Sequence, residues 1–103
     1  MIKEFKPNDN FEEMTKKGVF IFDFSATWCG PCKMLHPVFE EVSNKLSEYN
    51  FISVDVDECP LLSAKFNIRA VPTLIVIVDG QVKKETAGYM DEESLEKFIQ
   101  SAI

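Results

Sequence analysis

The chain has 103 residues, 46% of them hydrophobic, which is enough for one domain with one core. Its 17 acidic residues outnumber its 11 basic ones and give a formal net charge of −6. No segment concentrates Lys and Arg, which disfavours nucleic acid and anionic membranes as partners. The apolar runs are far shorter than the roughly 20 residues of a membrane-spanning helix. We therefore expect a single domain, residues 1–103, that binds neither nucleic acid nor membrane.

The N-terminal segment and the number of cysteines bear on the cellular compartment in which the protein is expected. Residues 1–10 lack the apolar core and cleavage site of a secretory signal, so we expect a cytoplasmic protein. Cys29, Cys32 and Cys59 are odd in number and too few for a disulfide framework. In a reducing compartment such cysteines indicate redox or metal chemistry.

The first half of the chain shows alternating strand and helix signals with short connections, which is typical of an α/β fold. A weak strand is predicted at residues 2–5, followed by a helix capped by Asn8 or Asp9. Residues 19–24 are almost wholly apolar, as expected of a central strand covered on both faces. Asp23 is the exception within that strand.

The next elements follow from apolar spacing. Residues 32–49 carry apolar side chains at spacings of three and four and are predicted to form an amphipathic helix. Pro37 lies inside it, and we expect a kink because the apolar stripe continues beyond it. A strand is predicted at 51–56 and a short helix at 60–66.

The C-terminal third contains a strong hairpin signal. Asp79-Gly80 is typical of a two-residue turn, so strands at 73–78 and 81–86 should be antiparallel. Asp91 is predicted to cap a last amphipathic helix.

A Cys-Gly-Pro-Cys sequence, Cys29-Gly30-Pro31-Cys32, joins the central strand to the long helix. Two intervening residues at a helix start bring the sulfurs close, and the helix N-terminus stabilises a thiolate on the first cysteine. We therefore predict that Cys29 is a partly exposed nucleophile and that Cys32, largely buried, resolves the mixed disulfide. Pro31 stiffens the ring because its φ is fixed.

A zinc site is the alternative, with Cys29, Cys32, His36 and Cys59 as ligands. Zinc sites usually use two clustered pairs, and the second pair is missing. We therefore expect no metal and no other cofactor, with His36 facing solvent.

Several motifs accompany the cysteine pair in a fixed order. They are Trp28 to Lys33, Asp23 in the preceding strand, Pro37, Val71-Pro72-Thr73, Asp79-Gly80 and Gly88. With this set the sequence resembles the thioredoxin family along essentially the whole chain. Residues 24–27, residues 54–57 and the position of Cys59 resemble the eukaryotic cytosolic branch more than the bacterial one.

The resemblance implies a thioredoxin fold, with a five-stranded mixed sheet flanked by four helices and the redox site after the second strand. It implies a cis bond before Pro72, although base rates for X-Pro bonds favour trans. It also implies that substrate backbone pairs with Val71 and approaches closely at Gly88, which is otherwise read as a turn glycine. Trp28 is either a docking aromatic or a partly buried anchor.

The sequence departs from familiar bacterial members at two positions. Ser25 stands four residues before the first cysteine, where they often have tryptophan, and Ser53 stands where they have a lysine near the buried aspartate. Burial should raise the pKa of Asp23, which favours a role in proton transfer with Cys32. The alternative is a structural aspartate kept ionised by backbone N–H groups.

The resemblance implies a protein-disulfide reductase that receives electrons from a flavin-dependent, NADPH-consuming thioredoxin reductase and passes them to client proteins. A disulfide-forming oxidase or isomerase and a non-redox binding module are the alternatives. We expect a monomer. Cys59 is predicted at a helix N-cap, a position that is normally exposed, and is either an inert, half-buried thiol or the site of a regulatory or intermolecular disulfide. Lys33 is read as a surface charge or as a group that favours the nearby thiolate.

Overall fold

The chain forms five strands and four helices in a computed structural model that describes residues 1–103. In chain order they are β1 (Ile2–Glu4), α1 (Phe11–Met14), β2 (Val19–Ser25), α2 (Gly30–Lys45), β3 (Asn50–Asp55), α3 (Pro60–Lys65), β4 (Thr73–Val78), β5 (Gln81–Ala87) and α4 (Glu92–Ser101). The strands form one sheet in the order β1-β3-β2-β4-β5. β3 runs parallel to both β1 and β2, whereas β4 is antiparallel to β2 and β5. The predicted mixed sheet flanked by four helices is confirmed.

The central strand β2 divides the core into two layers because successive side chains of a strand point to opposite faces. Phe20, Phe22 and Phe24 belong to one apolar cluster. Phe5, which follows β1, and apolar residues of α1 and α3 pack around them. Ile21 belongs to the other, with the buried side chains of α2 and α4. By this alternation Asp23 points to the face that α2 covers.

Helix α2 runs without interruption from Gly30 to Lys45, through Pro37. It begins two residues before the predicted start because Cys29 is its N-cap and Pro31 lies in its first turn, where a missing N–H leaves no bond unmade. It ends at the C-cap Leu46, so the predicted end at residue 49 is wrong.

The cap of α1 also differs from the prediction. Its N-cap is Asn10, whose side chain accepts a hydrogen bond from the Glu13 backbone N–H at 3.0 Å. Asp9 instead accepts from the Lys6 backbone N–H at 2.8 Å and so closes the preceding turn. Several polar residues precede this helix, and the conformation of the backbone decides which of them is the N-cap.

The C-terminal elements match the sequence closely. Asp79 and Gly80 both have positive φ, 49° and 82°, as a two-residue turn of this kind requires. Asp91 caps α4 by accepting from the Ser94 backbone N–H at 2.9 Å. None of the helices combines the length and the apolar character that crossing a membrane requires.

Candidate active site

The two cysteines of the motif lie where β2 gives way to α2, as the sequence predicts. Cys29 is the N-cap of α2 with extended backbone, and Cys32 follows in the first turn, so that the two Cα atoms are 5.3 Å apart and the sulfurs form a disulfide. The Cys32 backbone N–H donates to Cys29 Sγ at 3.2 Å. The N-terminus of a helix thus directs a hydrogen-bond donor at Cys29 sulfur, which stabilises negative charge there.

Both cysteines are buried, each about 5% exposed. The expectation that Cys29 is partly exposed is therefore wrong, whereas the expectation for Cys32 is right. Cys29 packs with Ala26 and Cys32, and the partly buried Val56 and Val71 contact this small cluster. An N-cap position is exposed in an isolated helix, but here neighbouring loops close over it.

The Val71-Pro72 segment lies against Cys29. Its peptide bond is cis, and the Val71 carbonyl oxygen is 3.7 Å from Cys29 Sγ. The Gly88 backbone N–H donates to the Pro72 carbonyl at 2.8 Å, and Gly88 has a φ of 103°. A side chain at Gly88 would be strained by this φ although the space beside it is open. The fold therefore brings Val71, Pro72 and Gly88 together beside the Cys29-Cys32 disulfide.

Trp28 is 69% exposed beside the buried pair. Its indole N–H donates to Asp57 Oδ2 at 3.0 Å, which fixes the ring against the segment after β3. Both predicted roles of Trp28, the docking aromatic and the partly buried anchor, are compatible with this exposure and this hydrogen bond and stay predictions. Asp57 was not singled out from the sequence, because nothing local relates it to an indole 29 residues away.

Asp23 is buried beneath the pair, about 2% exposed, and its Oδ1 has no hydrogen-bond partner. Burial raises the pKa of this carboxyl to about 7. Ser53 lies opposite it on β3, so no cation offsets the desolvation. The unpartnered oxygen argues against a carboxylate held ionised by backbone N–H groups.

A cavity of about 350 Å³ that opens to the surface is bordered by this carboxyl and by Cys32. Asp23, Cys32 and Ser53 line it together with charged side chains from three elements and the loop after β3. The residues that line it are Glu4, Asp23, Ser25, Ala26, Thr27, Cys32, Lys33, His36, Ser53, Asp55 and Glu58. Water can therefore reach the space between Asp23 and Cys32.

Cys59 lies apart from the pair and is buried more deeply than its N-cap position predicts. It is the N-cap of α3 but only 4% exposed, with Sγ 3.7 Å from the Phe5 carbonyl oxygen. Burial, and then the charges of Glu58 and Asp55, raise the pKa of its thiol. The segment after β1 covers it, which no local pattern could reveal.

The residues of the zinc alternative do not gather into a site. His36 is exposed on α2, and no group of three or more His, Cys, Asp or Glu side chains is arranged to hold a metal ion. Lys33 is exposed at the rim of the cavity beside Cys32.

A family model described as Thioredoxin matches residues 3–101. The chain belongs to the thioredoxin family. It is 42% identical to the thioredoxin of Staphylococcus saprophyticus over 97 residues, 93% of each chain, and 38% identical to that of Listeria monocytogenes over the full length of both. The crystal structure of Schistosoma mansoni thioredoxin superposes with a TM-score of 0.90 at 35% identity, covering 99% of this chain and 95% of that one.

Membership in the thioredoxin family, together with the Cys29-Cys32 disulfide, makes the chain a thiol-disulfide oxidoreductase that reduces protein disulfides through its own cysteine pair. The finer resemblance to the eukaryotic cytosolic branch stays a prediction. The bacterial thioredoxins are 36–42% identical to the chain, and the Schistosoma and Malassezia sympodialis thioredoxin structures are 35% identical.

Proposed function

We propose that Cys29 attacks client disulfides and that Cys32 resolves the intermediate. The hydrogen bond from the Cys32 backbone N–H to Cys29 Sγ carries this assignment, because it stabilises a thiolate on Cys29 and not on Cys32. Gly30 and Pro31 form the tight link that begins α2 between the two sulfurs. Residues 1–103 perform this reaction as a single domain.

The reaction proceeds in two exchanges. The Cys29 thiolate attacks one sulfur of the client disulfide, so a mixed disulfide forms and the other client sulfur leaves as a thiolate. Cys32 then attacks Cys29 Sγ, which breaks the mixed disulfide, closes the Cys29-Cys32 disulfide and releases the second client thiolate. The client gains the two electrons that the protein dithiol loses.

Asp23 is proposed to take the proton that Cys32 loses in the second exchange. Its buried, unpartnered Oδ1 and Cys32 border the same cavity, so transfer occurs directly or through one water. A pKa of about 7 suits a group that must accept and then give up a proton near neutral pH.

The client is proposed to bind in extended form along Val71, with its backbone passing Pro72 and Gly88 and its apolar side chains against Trp28. The short distance from the Val71 carbonyl to Cys29 Sγ supports this, because a strand paired there delivers its disulfide to the nucleophile. The exposed indole supplies apolar area beside it.

The oxidised protein is proposed to be a cytoplasmic monomer that an NADPH-dependent flavoprotein, a thioredoxin reductase, reduces again. The proposed reaction uses the cysteine pair of this chain and requires no metal and no other cofactor. One solved structure related to the chain comes from work on a yeast mitochondrial 1-Cys peroxiredoxin and the glutathione and thioredoxin systems, which supports clients of the peroxide-reducing kind.

Insulin reduction tests the proposal. The protein with NADPH and a thioredoxin reductase should reduce insulin disulfides catalytically, and dithiothreitol should replace the reductase. Cys29→Ser should abolish turnover, and Cys32→Ser should stop after the mixed disulfide. Turnover that persists in Cys29→Ser would contradict the assignment of the nucleophile.

A further inference from the structure

Tyr89 is a large aromatic residue at the edge of the redox site. It directly follows Gly88, whose backbone N–H donates to the Pro72 carbonyl at 2.8 Å. The neighbouring Val71 carbonyl lies 3.7 Å from Cys29 Sγ. Tyr89 therefore stands just beyond the backbone along which the client is proposed to bind, on the side opposite β2.

Tyr89 is partly open to solvent. Tyr89 is 45% exposed, whereas the next residue, Met90, packs against the core cluster beneath α4. Tyrosine offers a large contact area with few rotatable bonds, so ordering it on binding costs little entropy. Its position, and not its exposure alone, relates it to the client.

Asp91, two residues after Tyr89, carries a negative charge. Asp91 accepts a hydrogen bond from the Ser94 backbone N–H, and this bond lowers the pKa of its carboxyl, so it is ionised at neutral pH. It forms no ion pair, in contrast to Glu92 and Glu93, which pair with Lys45 and Lys97. The cation whose charge acts on Asp91 is Lys97, which pairs with Glu93. The chain as a whole carries a formal charge of −6.

We propose that Tyr89 is a specificity-determining residue whose ring contacts the client segment beside the reacting disulfide and favours clients with Lys or Arg there. A cation over an aromatic ring is attracted by the negative face of the ring, an effect of about two- to fivefold in binding at an exposed site. The unpaired Asp91 carboxylate adds to this preference. The inference rests on the proposed path of the client along Val71.

Three peptide clients test the inference. They differ only in the residue that flanks a cysteine on both sides, which is Lys, Gln or Glu, and that cysteine is joined by a disulfide to thionitrobenzoate. The reduced protein attacks the peptide sulfur through Cys29, thionitrobenzoate leaves and is measured by its absorbance, and Cys32 then displaces the peptide thiol. The protein dithiol supplies both electrons, so no reductase is needed.

The wild-type protein should react fastest with the Lys peptide and slowest with the Glu peptide. Tyr89→Ala should lower the rate with the Lys peptide about two- to fivefold and leave the Gln peptide nearly unchanged, while Tyr89→Phe keeps the preference. Asp91→Ser retains an N-cap residue and should lower the ratio of the rate with the Lys peptide to the rate with the Glu peptide. Val82→Ala removes an exposed apolar side chain at the other end of the sheet and serves as the control.

An unchanged Lys-to-Glu ratio in Tyr89→Ala, or equal slowing of all three peptides, would overturn the inference. Failure of the wild-type protein to reduce even the Gln peptide would instead overturn the proposed function on which it rests.

Discussion

At the scale of single residues, Asp23 has the most unusual environment. Its carboxyl is buried without a cation, and the pKa near 7 means that the folded protein retains a proton that the unfolded chain, with a pKa near 3.8, has already lost. This favourable contribution to folding is complete below the unfolded pKa. It decreases as pH rises toward 7 and is absent above it.

Replacing Asp23 by Asn should therefore stabilise the protein at neutral pH and above, because no buried charge remains. The gain in free energy of unfolding should be at most about 4 kcal/mol, should shrink as the pH is lowered and should vanish below about pH 4. Denaturant unfolding across this range measures it. Exposed Glu48→Gln is the matched control, expected within about 0.5 kcal/mol of wild type throughout.

The same Asp23→Asn variant should also resolve mixed disulfides more slowly, because Cys32 loses its proton acceptor. Single-turnover reduction of a disulfide peptide measures this step. A variant that is less stable at neutral pH, or one that resolves at the original rate, would indicate that Asp23 is structural.

The cysteine pair offers a second prediction at this scale. In the reduced protein near neutral pH, iodoacetamide should modify Cys29 before Cys32, since only Cys29 receives the backbone hydrogen bond that favours a thiolate. Peptide mapping by mass spectrometry identifies the modified site. The burial of Cys29 makes the reaction slower than that of an open thiol, and earlier labelling of Cys32 would reverse the assigned roles.

At the scale of elements, α2 is the part that holds the chemistry in place. Its stripe of fully buried side chains packs on the sheet, and its first turn carries Cys32 over Asp23. Phe39 is the largest side chain of that stripe and meets Phe51 of β3 edge to face, with ring centroids 5.2 Å apart. The packing of Phe39 on Phe51 thus helps to hold α2, and with it Cys32, in position.

Phe39→Ala should destabilise the protein by about 3–5 kcal/mol, because it removes a buried ring and leaves a cavity between α2 and β3. Met34→Ala on the exposed side of the same helix is the control and should change stability by less than about 0.5 kcal/mol. Chemical denaturation compares the two. Similar losses in both variants would mean that helix propensity, and not packing, sets the stability of α2.

At the scale of the whole molecule, the burial of Cys59 bears on oxidation. The thiol lies under the segment that joins β1 to α1 and borders a surface cavity of about 640 Å³. A disulfide to a second chain would require this covering segment to open. The structure therefore argues against the intermolecular use of Cys59 that its sequence position suggested.

Peroxide treatment should leave the folded protein monomeric in size-exclusion chromatography, and Cys59→Ser should behave like wild type. Maleimide should label Cys59 only when denaturant is added. A peroxide-induced dimer that disappears in Cys59→Ser would show instead that the covering segment opens readily in the native state.

The sequence by itself was sufficient for most elements of the fold and for the cysteine pair, since both depend on local patterns. Apolar spacing located α2 and α4, and Asp79-Gly80 located the hairpin, because the hydrophobic period and turn chemistry act over a few residues. Asp23 was identified in the same way, as one carboxyl in an apolar strand.

Only the tertiary structure decided which residues meet at the site and how deeply they are buried. Cys29 and Cys59 are both N-cap residues, and from sequence alone an N-cap is expected to be exposed. Segments distant in sequence nevertheless cover both cysteines. The bond from Trp28 to Asp57 and the bond from Gly88 to Pro72 likewise depend on contacts between separate elements. Such contacts are set by how helices and loops pack on the sheet, and no local pattern records that packing.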